Sequence, residues 1–297
     1  MKLGRFFTKP ARLLFKRCPT ANSRLFVRNF FRKWCIDQEL LIKTSEGFQM
    51  FASPHGYTSY GIYFFDSYDP FMSWFMKTHV VEGSVCMDIG TDGGWFSLLL
   101  GMLVGNKGRV DAFEAYPPNY HKLLKNLAIN KYYWVYPHNI AITDRVNRMY
   151  FLEPSEEITH NVSFLTDHSG VGYVTEKNLP GTIEVETTTI DEHFQNAALE
   201  KLNLIKIDVE GAETAAINGA RNTLLAFRPI IIIEYNRETA KRAGSSIEEM
   251  DELIASLDYE RYTFLGKLKK LDLTLWNEKS DNEAVFNVYC FPKEDIR

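Results

Sequence analysis

Cysteine is scarce in this chain and shows no pairing pattern: residues 18, 35, 86 and 290 form no CxxC pair and no even framework. A disulfide scaffold and a thiolate zinc site are thereby excluded, and a reducing compartment is implied. Long apolar runs are missing too. The amino-terminal bursts at 13–15, 25–27 and 30–31 are broken by arginines. None reaches the roughly 18 residues of a membrane span or the about 7 to 15 of a signal-peptide core. A cytoplasmic protein is expected, peripheral at most to the inner face of a membrane. Acidic residues are absent from positions 1 to 36, which hold ten Lys or Arg. The overall net charge of −4 therefore leaves about −14 on the remainder. There is no internal repeat, no low-complexity tract and no GxGxxG.

What is present bounds one substantial domain. The 297 residues, 45% of them hydrophobic, suffice for a single soluble core with a small appendage. Residues 1–36 form a basic arm. Arg24, Arg28 and Arg32 recur every fourth position beside the line Phe26, Phe30 and Trp34, an amphipathic helix pattern. Such a helix either adsorbs to anionic lipid through residues 1–34 or packs on the main domain with its arginines in water. Nucleic acid is not an expected partner, because the rest of the chain is acidic and carries no reading motif. Residues 37–82 read as short strands, turns and then a helix near 70–79, forming a substrate wall or lid. There His55, Tyr57, Tyr60 and Tyr63 either face a ligand or pack.

From residue 83 to 297 strand alternates with helix. Strands are expected at 85–89, 109–114, 135–141, 203–208 and 229–234, and helices at 94–104, 117–130, 212–226 and 246–257. Residues 146–200 form an excursion with period-two segments at 147–152 and 183–189, covering one edge of the site. Segments 260–265 and 285–291 read as a hairpin that adds an antiparallel strand. The expected fold is α/β, a Rossmann-like doubly wound, mostly parallel seven-stranded sheet with helices on both faces.

The chain is organised around VCMDIGTDGGWFS, an apolar strand ending in an acid, then a glycine turn, then a helix. In such sheets ligands bind beyond the carboxyl ends of the strands, so Asp88, Glu114 and Asp208 are expected to line the pocket. Glu114 lies at the interval at which a carboxylate meets ribose hydroxyls, pointing to an adenosine-containing cofactor. The turn Gly90, Thr91, Asp92, Gly93, Gly94 sets an acid where a pyrophosphate would approach, so the site suits a cationic ligand better than a dinucleotide. Alternatively, Asp88 merely caps the turn.

Six segments in order carry a family resemblance: VCMDIGTDGGWFS, GRVDAFEAYPPNYHKLLKNLAIN, HNIAITD, VETTTIDEHF, LIKIDVEGAE and PIIIIEYN. Residues 85 to 234 resemble the FkbM family of class I S-adenosylmethionine-dependent methyltransferases. The resemblance implies S-adenosylmethionine as cofactor, held by Asp88, Gly90, Thr91, Asp92, Gly94, Glu114, Ala115, Asn139, Ala141 and Asp208. It implies O-methylation of a hydroxyl on a small-molecule, sugar, glycan or lipid acceptor. The family usually has Ala-Asn where this chain has Thr91 and Asp92, and Pro where it has Ala115. A non-catalytic binding module of the same fold is one alternative, and a nucleotide-dependent oxidoreductase is another.

Methyl transfer from a sulfonium needs chiefly positioning, while a hydroxyl acceptor benefits from a base. Asp208 and Glu210 are the base candidates, with His160 and His168 either helping or lying on a surface loop. If the strand continues through them, Asp208 and Glu210 share a face. No third ligand follows from spacing, so no metal is expected. Glu234 ends the fifth strand, where it either reaches the acceptor or pairs with Lys206 or Arg228.

Overall fold

The computed structural model describes residues 39–53, 57–152, 172–273 and 285–295. The basic arm, His55, His160 and His168 lie outside them, as do the side chains of Tyr57 and Tyr60. Strands β1 (Leu40–Lys43) and β2 (Gln49–Ala52) form an antiparallel hairpin, followed by helices α1 (Tyr57–Phe65) and α2 (Pro70–His79). Helix α1 stands where strands and turns are expected; its aromatic-rich sequence has β propensity, but burial of Ile62, Tyr63 and Phe64 overrides it. Tyr63 is fully buried and edge-on to Phe64, so it packs and faces no ligand.

The central sheet is built from β3 (Val85–Ile89), β4 (Arg109–Phe113), β5 (Val135–His138), β10 (Leu204–Ile207), β11 (Ile230–Tyr235), β12 (Tyr259–Phe264), β13 (Leu268–Lys270) and β14 (Phe286–Pro292). Their order is β13-β12-β14-β11-β10-β3-β4-β5. The five strands from β11 to β5 are parallel, while β14 is antiparallel to β11, β12 to β14 and β13 to β12. This is the Rossmann-like α/β architecture, with one strand more than expected. Residues 268–270, lysine-rich and therefore unlike a buried strand, fold back on β12 as a charged edge.

The sheet is covered on both faces. Along β3, Val85, Met87 and Ile89 join one core while Cys86 joins the other, as alternation requires. Burial pushes the Cys86 thiol up to about 12, so it is an inert apolar residue. Helices α3 (Trp95–Val104), α4 (Pro117–Asn130), α5 (Ile190–Asn196), α6 (Glu213–Asn218), α7 (Arg221–Phe227), α8 (Arg237–Arg242) and α9 (Ile247–Ser256) complete the layers. The expected helix 212–226 is two helices. At the break, a Cβ on Gly219 would stand 2.2 Å from the Thr143 carbonyl oxygen, so the chain passes too close to permit a side chain. The excursion contains β7 (Asn147–Leu152), β8 (Tyr173–Thr175) and β9 (Thr182–Thr188), which with β6 (Ala141–Ile142) form a separate four-stranded sheet.

Candidate active site

The carboxyl edge of the parallel strands gathers the charged residues. Gly90, at φ 79°, begins the turn after β3. Its amide donates to the Phe113 carbonyl at 3.0 Å, and its carbonyl accepts from Lys206 Nζ at 2.8 Å. Asp92 has φ 49°, a conformation that side chains with short polar groups tolerate best. Its amide donates to Glu114 Oε2 at 2.8 Å, and the Tyr116 amide donates to Glu114 Oε1 at 2.9 Å. Thr91 is buried, with its hydroxyl 3.4 Å from the Asp92 carbonyl oxygen. Gly94 starts α3 in the left-handed region, and no side chain caps the helix.

The second strand's end is held by an amide side chain. Asn139 Nδ2 donates to the carbonyls of Glu114 and Ala115 at 2.7 and 3.1 Å. Ala141 is buried with Phe151 and Val185, and Ala115 and Tyr116 pack on that cluster. Hydrogen bonds therefore tie the turn, Glu114, Ala115 and Asn139 together, and Ala141 packs in the cluster on which Ala115 lies.

Asp88 departs from expectation. Its carboxylate is fully buried beneath the turn and does not line the pocket. Ser97 Oγ donates to Oδ2 at 2.6 Å, and Lys206 Nζ lies 3.5 Å from Oδ1. The cause is register: Asp88 and Lys206 are level partners on adjacent strands. They share the face carrying Cys86 and Leu204. Lys206 reaches onward to Asp208 Oδ2 at 3.3 Å. Burial alone would lower the Lys206 ammonium, but Asp208 and Asp88 on either side raise it above its ordinary value. Burial likewise raises Asp88.

Asp208 and Glu210 do meet, though not by strand alternation. Strand β10 stops at Ile207, and the chain turns through Glu210 at φ 55° and Gly211 at φ 115°. Glu213 closes that turn, accepting the Val209 and Gly211 amides at 2.9 Å each. Extending the register of Leu204 with Ile230 brings Asp208 level with Glu234. Carboxylate oxygens of Asp208, Glu210 and Glu234 all lie within 4.8 Å of one another, close enough to hold a cation between them. Glu234 makes neither expected ion pair: Arg228 is bound to Glu294, and Lys206 to Asp88 and Asp208.

Two features escaped sequence reasoning. Asp69, the left-handed cap of α2, accepts from the Met72 amide at 2.9 Å and points Oδ2 at Asn287 Nδ2, 3.4 Å away. Burial raises its carboxyl, and Asp208 adds to the shift, so Asp69 belongs to the same acidic field. The Asp-Pro pair at 69–70 was the available signal, an N-cap followed by proline at N1. Elsewhere, Asp111 is fully buried and bonded by Arg109, His138 and His193 at 2.7 to 3.1 Å. Burial opposes ionisation there, but those bonds hold its carboxyl well below the ordinary range. No local pattern announces that cluster, because its members come from β4, β5 and α5.

The electrostatics yield a pH dependence. Burial pushes Glu114 and Glu210 up to about 8 and Glu213 to about 7, from 4.5. Between those values the folded protein binds protons that the unfolded chain has released, so stability falls as pH rises. The contribution is full below about pH 4.5 and is lost progressively up to about pH 8. Thermal melting of cofactor-free protein is expected to show a declining Tm from pH 5 to 8; a flat profile would contradict this assignment.

Residues 87–261, more than half of the chain, match the methyltransferase FkbM domain family. The chain belongs to that family. It is 33% identical over 78 residues to the 2-O-methyltransferase NoeI of Sinorhizobium fredii, a match covering 26% of this chain and 32% of that protein. The matched stretch is thus about a third of that relative's length. The crystal structure of methyltransferase FkbM from Methylobacillus flagellatus is similar at 15% identity and TM-score 0.45, covering 96% of this chain and 59% of that one. The O-methyltransferase of Bacillus cereus, solved with SAH, is similar at 16% identity and TM-score 0.41, covering 76% and 82%. No helix among the described residues of this FkbM-family chain is long and apolar enough to cross a membrane.

Proposed function

We propose that this protein is an S-adenosylmethionine-dependent methyltransferase acting on a hydroxyl of a sugar, glycan or lipid acceptor. The observation that carries the reading is the carboxyl edge itself: Glu114 beside a glycine turn, next to a cluster of acids with one buried lysine. The residues present fit the cofactor. Glu114 uses two of about four acceptor positions on backbone amides, leaving capacity for ribose hydroxyls. The uncapped start of α3 offers amides to a carboxylate. The acidic field favours a cation.

Gly90, Thr91, Asp92 and Gly94 would hold the methionine end, and Ala115, Asn139 and Ala141 the adenine side. Asp88 acts indirectly, by fixing Lys206 and through it Asp208. The cofactor, when bound, supplies an activated methyl group. The chain's own part is to orient the acceptor oxygen, exclude water and take a proton. Asp208 is 31% exposed at the pocket, where it orients the acceptor hydroxyl. Glu210, pushed up to about 8 by burial and then by Asp208, has a proton affinity suited to a base near neutral pH.

Glu114→Ala is expected to weaken S-adenosylmethionine binding by about 1 to 3 kcal/mol, the usual cost of leaving buried polar groups without their partner. Isothermal calorimetry on folded protein checks this, and unchanged affinity would sink the assignment. A second reading, a non-catalytic module that keeps the fold and binds a partner through the basic arm, is favoured by one observation: after burial, the Asp92 charge adds to the upward shift of Glu114. Absence of any binding of S-adenosylmethionine or its demethylated product would support that reading. The arm at 1–34 carries the charge to hold the enzyme against an anionic membrane, and removing it should weaken vesicle binding.

A further inference from the structure

The hairpin of β12 and β13 stands at the same edge of the sheet as the acidic pocket. Strand β14 is antiparallel to β11, and β12 is antiparallel to β14, so β12 runs parallel to β11. Ile233, Val288 and Thr263 are level across the three strands, which places Phe264 at the level of Glu234. The turn 265–267 therefore overhangs the carboxyl edge, two strand spacings or roughly 10 Å from Glu234. Apolar side chains are exposed at that turn. Leu265 is 51% exposed and Phe264 39%. Phe264 stacks on Phe71 at 3.5 Å between centroids, and Phe71 contacts Trp74, itself 51% exposed. Phe71 follows Asp69 by two residues, so the apolar patch runs up to the acidic pocket.

The patch has a basic rim. Residues 264–271 contain three lysines and no acid. Lys270 is paired with Glu260, whereas Lys267 and Lys269 are exposed and make no ion pair among the described residues. Exposed Trp, Phe and Leu beside unpaired lysines match the layers of a lipid interface, with apolar side chains below the headgroups and ammonium groups at anionic phosphates. Trp74, Phe71 and Phe264 are joined by ring contacts and Leu265 follows Phe264, so the exposed apolar side chains form a contiguous patch rather than scattered single residues.

We infer that the hairpin tip and α2 form a docking surface for an anionic lipid bilayer, which brings the pocket to hydroxyls borne on membrane lipids. The substrate class rests on the methyl-transfer reading; the docking does not. Each lysine near such a surface contributes about 1 kcal/mol, so a single cluster gives reversible attachment, which the basic arm strengthens.

Co-sedimentation of the full-length protein with vesicles tests the surface. Binding is expected to phosphatidylcholine vesicles containing phosphatidylglycerol, and at least tenfold weaker binding to phosphatidylcholine alone. The double variant K267E/K269E and the single variant Leu265→Gln are each expected to lower the partition coefficient at least tenfold, while Leu265→Phe retains it. Full-length protein that ignores both vesicles, equal binding to neutral vesicles, or hairpin variants that bind as well as wild type would overturn the inference. So would a dimer in sedimentation velocity that Leu265→Gln dissociates. Calorimetry with S-adenosylmethionine on the same variants separates the two readings, since hairpin changes should leave cofactor affinity unaltered. Wild-type protein that binds vesicles but no cofactor removes methyl transfer and leaves the docking standing.

Discussion

Gly90→Ala should destabilise the fold by about 4 kcal/mol or more, among the largest effects a single methyl group can have. Two costs add. The backbone there sits at φ 79°, a region that costs an L side chain about 1 to 2 kcal/mol. The added Cβ would also lie 1.7 Å from the Asp208 carbonyl oxygen. Neither neighbour has room to retreat. The Asp208 amide donates to Ile89 O at 3.0 Å, and the Gly90 amide to Phe113 O at 3.0 Å, so three strand ends are tied at this point. Relief requires β3 and β10 to separate, which also pulls Lys206 from the Gly90 carbonyl. Gly47→Ala is the control, because Gly47 has φ 111° but nothing within 4 Å of its Cβ position. Urea denaturation should show a loss of about 1 kcal/mol at Gly47 against the much larger loss at Gly90. Equal midpoints for the two variants would refute the close approach.

Lys206→Met is expected to cost about 3 to 5 kcal/mol, the usual penalty for removing one partner of a buried ion pair. The methionine fills the volume, so the loss reports charge. Asp88 is fully buried, with Ser97 the one hydrogen-bond partner left to its carboxylate among the described residues, and Asp208 loses the ammonium beside it. The sign with pH follows. Burial already raises Asp88 in the folded protein, and without the ammonium it rises further, so it takes up a proton on folding. The deficit relative to wild type should shrink as pH falls towards 5 and grow as pH rises to 8. Denaturation at both pH values measures it, and a pH-independent difference would mean that Lys206 acts through packing and its hydrogen bond to the Gly90 carbonyl rather than through its charge on Asp88. The variant should also bind S-adenosylmethionine differently, because removing the ammonium leaves the pocket more acidic.

Much of the site could be read locally. The turn after β3 and the acid after β4 lie within 30 residues, and each is marked by residues with narrow physical uses: glycines for positive φ, a carboxylate at a strand end. The reading failed where a charge needed a partner from elsewhere. From the sequence, Glu234 either reaches the acceptor or pairs with Lys206 or Arg228; strand register gives Lys206 to Asp88 and sets Glu234 beside Asp208. Asp88 was placed in the pocket because it ends an apolar run; Ser97 on the helix above takes it out of solvent.

By itself, then, the sequence determined the doubly wound class and the cofactor-type turn, since alternation of apolar runs and glycine spacing encode burial and backbone angle residue by residue, while the family came from the resemblance of six segments in order. Only the tertiary structure decided the acidic cluster with its single lysine, the triad around Asp111, the second sheet and the hairpin beside the pocket. Those depend on which strands lie side by side and in what register, and that is settled by packing between segments far apart in the chain.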